Sequence, residues 1–262
     1  MKKHIRKILN IVLSALLIFS IAKFSLSTYN SILSRRETET AVQIAYSHKS
    51  EEAVTAGETA NSELPVDDPL AKELLSIELD ALQAENEDVI GWISIPDTKI
   101  NYPLLQNEDN AFYLSHTWQK NHNPSGSVFM DCKSPSDFSS FNSIIYGHNM
   151  MYDEMFSPLH QYRKSEYMQE HPYVYIASAE GVSRYEVYAA GFAGINTIVY
   201  GLNIEREEDK QAYLSYAEET LSVSKELSPA LEDSFITLST CTGGDHGRRM
   251  VVIAALDRVF KR

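Results

Sequence analysis

The pattern of apolar and polar positions divides this chain into unlike stretches. It opens on Lys2-Lys3-His4-Ile5-Arg6-Lys7 and continues as a mostly apolar run from Ile8 to Ala22. With Lys23 snorkelling, the apolar stretch extends to Leu26, nearly the length a helix needs to span a bilayer. The basic flank suits a signal peptide or a signal-anchor, and the lack of a small-x-small cleavage site after Ala22 favours the anchor. Residues 1–36 therefore read as a cytoplasmic basic end and a transmembrane signal-anchor, with the remainder outside the cytoplasm. Residues 37–66, rich in Glu, Thr, Ala and Ser, show neither helical nor strand period and read as a flexible stalk. A folded extracytoplasmic domain is expected over 67–262.

Within that domain, Pro65 and Pro69 precede Leu70, Leu74, Leu75, Ile77, Leu79 and Leu82, a spacing that predicts one amphipathic helix. The period then changes to that of strands. Gly91-Trp92-Ile93-Ser94-Ile95 alternates, and Pro96-Asp97-Thr98 turns the chain into Lys99–Tyr102. Further strands are expected at Ser127–Met130, Ser143–Tyr146, Tyr173–Ala177, Tyr185–Phe192, Phe235–Thr240 and Met250–Leu256. Met155, Phe156, Leu159 and Tyr162 suggest a short helix, and residues 205–225 a longer acidic one. Many short strands without β-α alternation imply a mainly-β barrel or sandwich decorated by helices.

Charge sharpens this division. The first 36 residues hold seven Lys or Arg and no acid; the chain's 23 basic residues less these seven leave 16 against 36 acids in 37–262, a balance of −20. Nucleic-acid binding by so acidic a domain is excluded, because phosphate contacts need a basic surface. There is no G-x-G-x-x-G, no G-x-x-x-x-G-K-[ST], and no His or Cys pair at metal-ligand spacing, so neither a nucleotide cofactor nor a metal is expected. The two cysteines, Cys132 and Cys241, could form one disulfide outside the cytoplasm, but a domain of this size does not need it. Cys132 reads as a small residue at a strand end.

The candidate chemistry lies at strand ends. Thr237-Leu238-Ser239-Thr240-Cys241 brings a cysteine to the end of a β segment, before the polar loop Thr242-Gly243-Gly244-Asp245. Arg249 begins the next apolar run, and His148 follows another. A thiol beside a guanidinium and an imidazole can serve as nucleophile, with the imidazole as proton shuttle and the guanidinium as oxyanion partner. Each also has a plain structural reading: a buried inert thiol, a turn histidine, a solvated arginine. Strand alternation puts Arg249 with Val251 and Ile253, and Arg248 with Met250 and Val252, without deciding which face holds a site.

These motifs resemble the class B sortases. Thr237–Cys241 matches the family's TLxTC signature, Arg249-Met250-Val251-Val252 is similar to its arginine strand, and Tyr146-Gly147-His148-Asn149-Met150 resembles its histidine region. Gly91–Pro103 and Gly126–Asp131 resemble further class B segments. The resemblance spans roughly residues 70–258 and implies an eight-stranded β-barrel with N-terminal helices and an extra helix before the Cys strand. It implies a cysteine transpeptidase with no cofactor, in which Cys241 attacks a sorting signal of a secreted protein and forms a thioacyl enzyme. An amine of a cell-wall precursor or a pilin lysine then resolves it. His148 would move the protons and Arg249 would steady the oxyanion. Asn110, Leu114, Ser239 and Tyr200 resemble residues that contact the sorting peptide. A wall-peptide cysteine peptidase is the rival enzyme, and a membrane-tethered binding domain with a structural Cys241 the rival of another class.

Overall fold

The computed structural model describes residues 2–47, 68–223, 227–245 and 247–262. Its elements are helices α1 (Lys2–Ala45), α2 (Pro69–Leu75), α3 (Leu79–Glu85), α4 (Ser165–Glu170) and α5 (Glu207–Thr220). The strands are β1 (Val89–Ser94), β2 (Asn101–Leu105), β3 (Phe129–Met130), β4 (Asn142–Tyr146), β5 (Tyr173–Ser178), β6 (Gly181–Gly194), β7 (Ser222–Val223), β8 (Phe235–Cys241) and β9 (Arg248–Lys261). Strand order is β5-β1-β2-β3-β4-β8-β9-β6-β7, and β5 also pairs with β6. That extra pairing closes eight strands into a barrel and leaves β7 on the far half of β6, so the barrel has no free edge along β5.

Alternation along the strands sorts residues between the inside and the outside of this barrel. Ile236 and Leu238 of β8, with Met250, Val252 and Ala254 of β9, join Ile93, Leu104, Met130 and Ile145 in the interior. A 3-10 helix at Ser157–Arg163 plugs that interior with Leu159 and Tyr162, joined there by Phe156, which precedes it. The opposite parity, Phe235 of β8 and Val251, Ile253 and Ala255 of β9, packs beneath Tyr213, Leu214 and Ala217 of α5. Under that helix, Thr237 Oγ1 donates to Asn142 Oδ1 at 2.8 Å and lies 2.9 Å from the Tyr213 hydroxyl, so these buried polar groups satisfy one another.

The N-terminal region differs from expectation in two places. The stalk expected over 37–66 does not begin at residue 37, because α1 runs unbroken to Ala45. Ala41 and Ala45, fully buried, pack in the cluster that holds Trp92, Trp118 and Leu82. The Trp118 indole donates to the Glu37 carbonyl at 2.7 Å, Asn123 donates to the Asn30 carbonyl at 2.9 Å, and Arg35 pairs with Glu154. Small residues four apart let the helix approach closely while giving almost no apolar signal. The rest of that stalk, 48–66, lies outside the described residues. The single helix expected from Leu70 to Leu82 is instead two, α2 and α3. The chain breaks where the Ser76 hydroxyl donates to the Glu73 carbonyl at 2.7 Å and Ile77 turns into the core.

Before α2, Asp68 caps the helix by accepting from the Ala71 N–H at 3.0 Å, and its other oxygen meets Tyr175 at 2.8 Å and Arg184 at 2.7 Å. Burial opposes its charge, but these donors outweigh burial and hold the carboxyl below its usual range. At the other end, α1 is apolar enough over Leu9–Ala45 to cross a membrane, with mean hydropathy 2.0 in its most apolar window. Ile11, Ile18 and Phe24 are 68%, 67% and 64% exposed, so the described residues do not cover that surface.

Candidate active site

Topology brings the three candidate groups together. β4 and β8 run parallel, with Tyr146 opposite Ser239, so His148 and Cys241 each lie two residues beyond a register pair and leave the barrel at the same edge. β9 returns antiparallel on the other side of β8 and sets Arg249 opposite Cys241. The thiol therefore sits between imidazole and guanidinium on three neighbouring strands, whose spacing is about 5 Å. Parity separates the two arginines. Arg249 shares the outer face with Val251 and Ile253, whereas Arg248 has the parity of interior Met250 and stacks over the Phe192 ring at 5.4 Å.

A groove of about 490 Å³ opens on this outer face and is lined by Cys241, His148, Arg249, Ser239, Tyr146 and Tyr200 among others. Asn110 and Leu114 also border it, so all of the sequence-predicted site residues meet in one place. Cys241 is exposed and, like Cys132, carries a free thiol, so the two do not form a disulfide. His148 is half-buried, and its Nε2 lies 2.8 Å from the Leu114 carbonyl. A carbonyl only accepts, so Nε2 carries the hydrogen and Nδ1 is the nitrogen left to exchange a proton. Gly126 makes room for that ring: at φ +60° it adopts the left-handed region, and a Cβ there would lie 2.8 Å from His148 Cδ2.

The polar residues of the groove are held from behind. Asn110 donates to Asp131 Oδ2 at 2.7 Å and accepts from the Cys132 N–H at 2.8 Å. The Tyr146 hydroxyl donates to the same Asp131 oxygen at 2.9 Å, and burial together with that carboxylate raises its pKa. Ser239 and Tyr200 share a hydrogen bond of 2.8 Å. Burial raises the Tyr200 pKa, against the opposing pull of the Ser239 hydrogen bond and the Arg249 charge. Leu114 remains 46% exposed and Ile195 44%, which gives the groove an apolar lip. Sequence reasoning gave no role to Asp131, Gly126, Asn149 or His160, although the first three lie in the segments Gly126–Asp131 and Tyr146–Met150 that carried the resemblance; His160 carried no signal.

A closed eight-stranded barrel that presents thiol, imidazole and guanidinium along one outer groove defines a sortase-type thiol enzyme. The sortase-domain family model matches residues 93–257, and the chain belongs to the sortase family. Sortase B of Listeria monocytogenes is 35% identical over 179 residues, covering 67% of this chain and 72% of that protein. Sortase B of Staphylococcus aureus is 27% identical over 184 residues, covering 70% and 75%. The crystal structure of Clostridium perfringens sortase B matches with a TM-score of 0.64 at 26% identity, over 68% of this chain and 99% of that one. These relatives place the chain with the class B sortases.

Proposed function

We propose that this protein cleaves a C-terminal sorting signal of secreted proteins and joins the new carboxyl end to an amine of the cell-wall precursor. The observation that carries this reading is the single groove shared by Cys241, His148 and Arg249 with Asn110, Leu114, Ser239 and Tyr200. The Cys241 thiolate attacks the carbonyl carbon of a Thr–Gly or Thr–Asn type bond. The tetrahedral oxyanion develops beside the Arg249 guanidinium, whose fixed charge is most valuable where negative charge appears. His148 gives a proton from Nδ1 to the leaving amine, the C–N bond breaks, and a thioacyl enzyme remains. The incoming amine loses a proton to His148 and attacks the thioester, which expels Cys241 as thiolate and forms the new amide. Asn110, Ser239 and Tyr200 hold the peptide's polar groups, and Leu114 contacts an apolar side chain.

The N-terminal helix anchors the protein as a single-pass membrane protein, its basic end in the cytoplasm and the groove outside. The test uses the full chain in detergent with a panel of sorting-signal peptides and an amine acceptor, and products are read by mass spectrometry. Amine-linked product, lost in Cys241→Ala, His148→Ala and Arg249→Ala, is the expected result. Cleavage by water alone under excess amine would identify a peptidase. Product formed only with a pilin lysine would identify a pilus-assembling enzyme. A flat activity profile from about pH 5 to 9 would overturn the thiol-imidazole pair.

A further inference from the structure

The backbone carbonyl of Cys241 is held by two side chains from two separate segments. His160 Nε2 lies 2.9 Å from this oxygen, and Asn149 Nδ2 donates to it at 3.1 Å. Neither residue borders the groove. His160 projects from the 3-10 helix that plugs the barrel, and its ring packs near Phe192 with centroids 6.1 Å apart. Asn149 follows His148 and forms an isolated antiparallel bridge with Met155. Because the carbonyl can only accept, His160 donates from Nε2, which carries hydrogen in one neutral tautomer and in the imidazolium alike.

The place of this contact gives it consequence. Cys241 is the last residue of β8, and a loop with unusual backbone freedom follows it: Gly243 has φ +90°, and no atom lies within 4 Å of a Cβ placed on Gly244. Within that loop Thr242 Oγ1 donates to the Asp245 carbonyl at 2.8 Å and the Asp245 N–H donates back at 3.1 Å, while the Gly247 carbonyl accepts from the Ile195 N–H at 3.2 Å. The clamp at the Cys241 carbonyl ties the end of the strand to the barrel plug. We infer that His160, together with Asn149, is a positioning residue for the nucleophile: the pair fixes the Cys241–Thr242 peptide plane and so the direction of the thiol into the groove. This deepens the proposed function, since it takes Cys241 as the nucleophile.

The test compares wild type with His160→Leu, which keeps bulk and removes the donor, and His160→Gln, which restores an N–H at similar reach. The full chain in detergent is labelled with carbonyl-13C cysteine; with only two cysteines in the sequence, the Cys241 signal is assigned by comparison with Cys241→Ala. Loss of one neutral hydrogen bond corresponds to about a fivefold effect. The expected result is an upfield shift of the Cys241 carbonyl in His160→Leu, a fall in kcat of about fivefold with KM for the peptide unchanged, and recovery of both in His160→Gln. Asn149→Ala combined with His160→Leu is expected to exceed either change alone. An unmoved carbonyl signal overturns the inference, as does wild-type kcat in His160→Leu or failure of glutamine to restore it. If wild type processes no sorting peptide, the proposed function falls while the carbonyl signal still decides whether His160 holds Cys241.

Discussion

Gly126→Ala probes the support of His148 directly. The added Cβ would lie 2.5 Å from the Tyr113 carbonyl oxygen, 2.8 Å from His148 Cδ2 and 3.0 Å from His148 Nε2. Tyr113 is fully buried and its carbonyl also accepts the Ser127 N–H at 2.9 Å, so the backbone cannot withdraw cheaply. The imidazole is the softer neighbour and gives way, which breaks its contact with Leu114. Holding alanine at φ +60° costs about 1–2 kcal/mol, and strain from the carbonyl contact brings the loss to about 2–3 kcal/mol. For a domain of this size that corresponds to a Tm fall of about 4–12 °C. Misplacing a general acid-base costs about 10²- to 10⁴-fold in rate, so kcat is expected to fall far more than the stability change explains. Thermal unfolding and peptide turnover are measured beside Gly244→Ala, where a Cβ meets nothing within 4 Å and both values should stay near wild type. Wild-type kcat in Gly126→Ala would refute the claim that this glycine makes room for the histidine.

Other perturbations test the frame around the site. Asp68→Asn removes one of the two carboxylates on Arg184, which keeps Asp257, and is expected to lower stability by about 1.5–3 kcal/mol, measured by urea unfolding at neutral pH, because a charge-assisted hydrogen bond is lost. Since the Asp68 carboxyl is held below its usual range, its contribution is present above the unfolded-state pKa near 4 and fades as pH falls through the lower folded value. The difference between wild type and Asp68→Asn should therefore shrink in acid; a pH-independent gap would refute the assignment. Ala41→Leu adds bulk to a fully buried face of α1 and should cost about 1–3 kcal/mol in thermal unfolding; a neutral result would mean that α1 does not dock there. Tyr213→Phe leaves Thr237 and Asn142 short of a buried partner and should cost about 1–3 kcal/mol by denaturant titration, with cleavage activity retained.

Much of this protein was written locally. The runs from Gly91 to Leu256 marked most of the strands, because strand parity follows from side chains pointing to opposite faces. Cys241, His148 and Arg249 were visible because each adjoins an apolar run and a polar turn, and the motifs around them carried the class B resemblance. Tertiary structure decided what periodicity could not. Which face Arg248 and Arg249 each take depends on the barrel's inside and outside, which exist only once β5 pairs with β6 and α5 covers one face. The docking of α1 was silent in sequence because alanines and threonines contribute shape rather than apolar contrast. The roles of Asp131, Asn149 and His160 were equally silent: each acts on a residue far along the chain or through a backbone atom. The sequence determined which chemical groups are present and at which strand ends they stand. The parallel pairing of β4 with β8 and the antiparallel return of β9 placed them side by side, since strand-to-strand hydrogen bonding, not chain order, sets the distance between residues 148, 241 and 249.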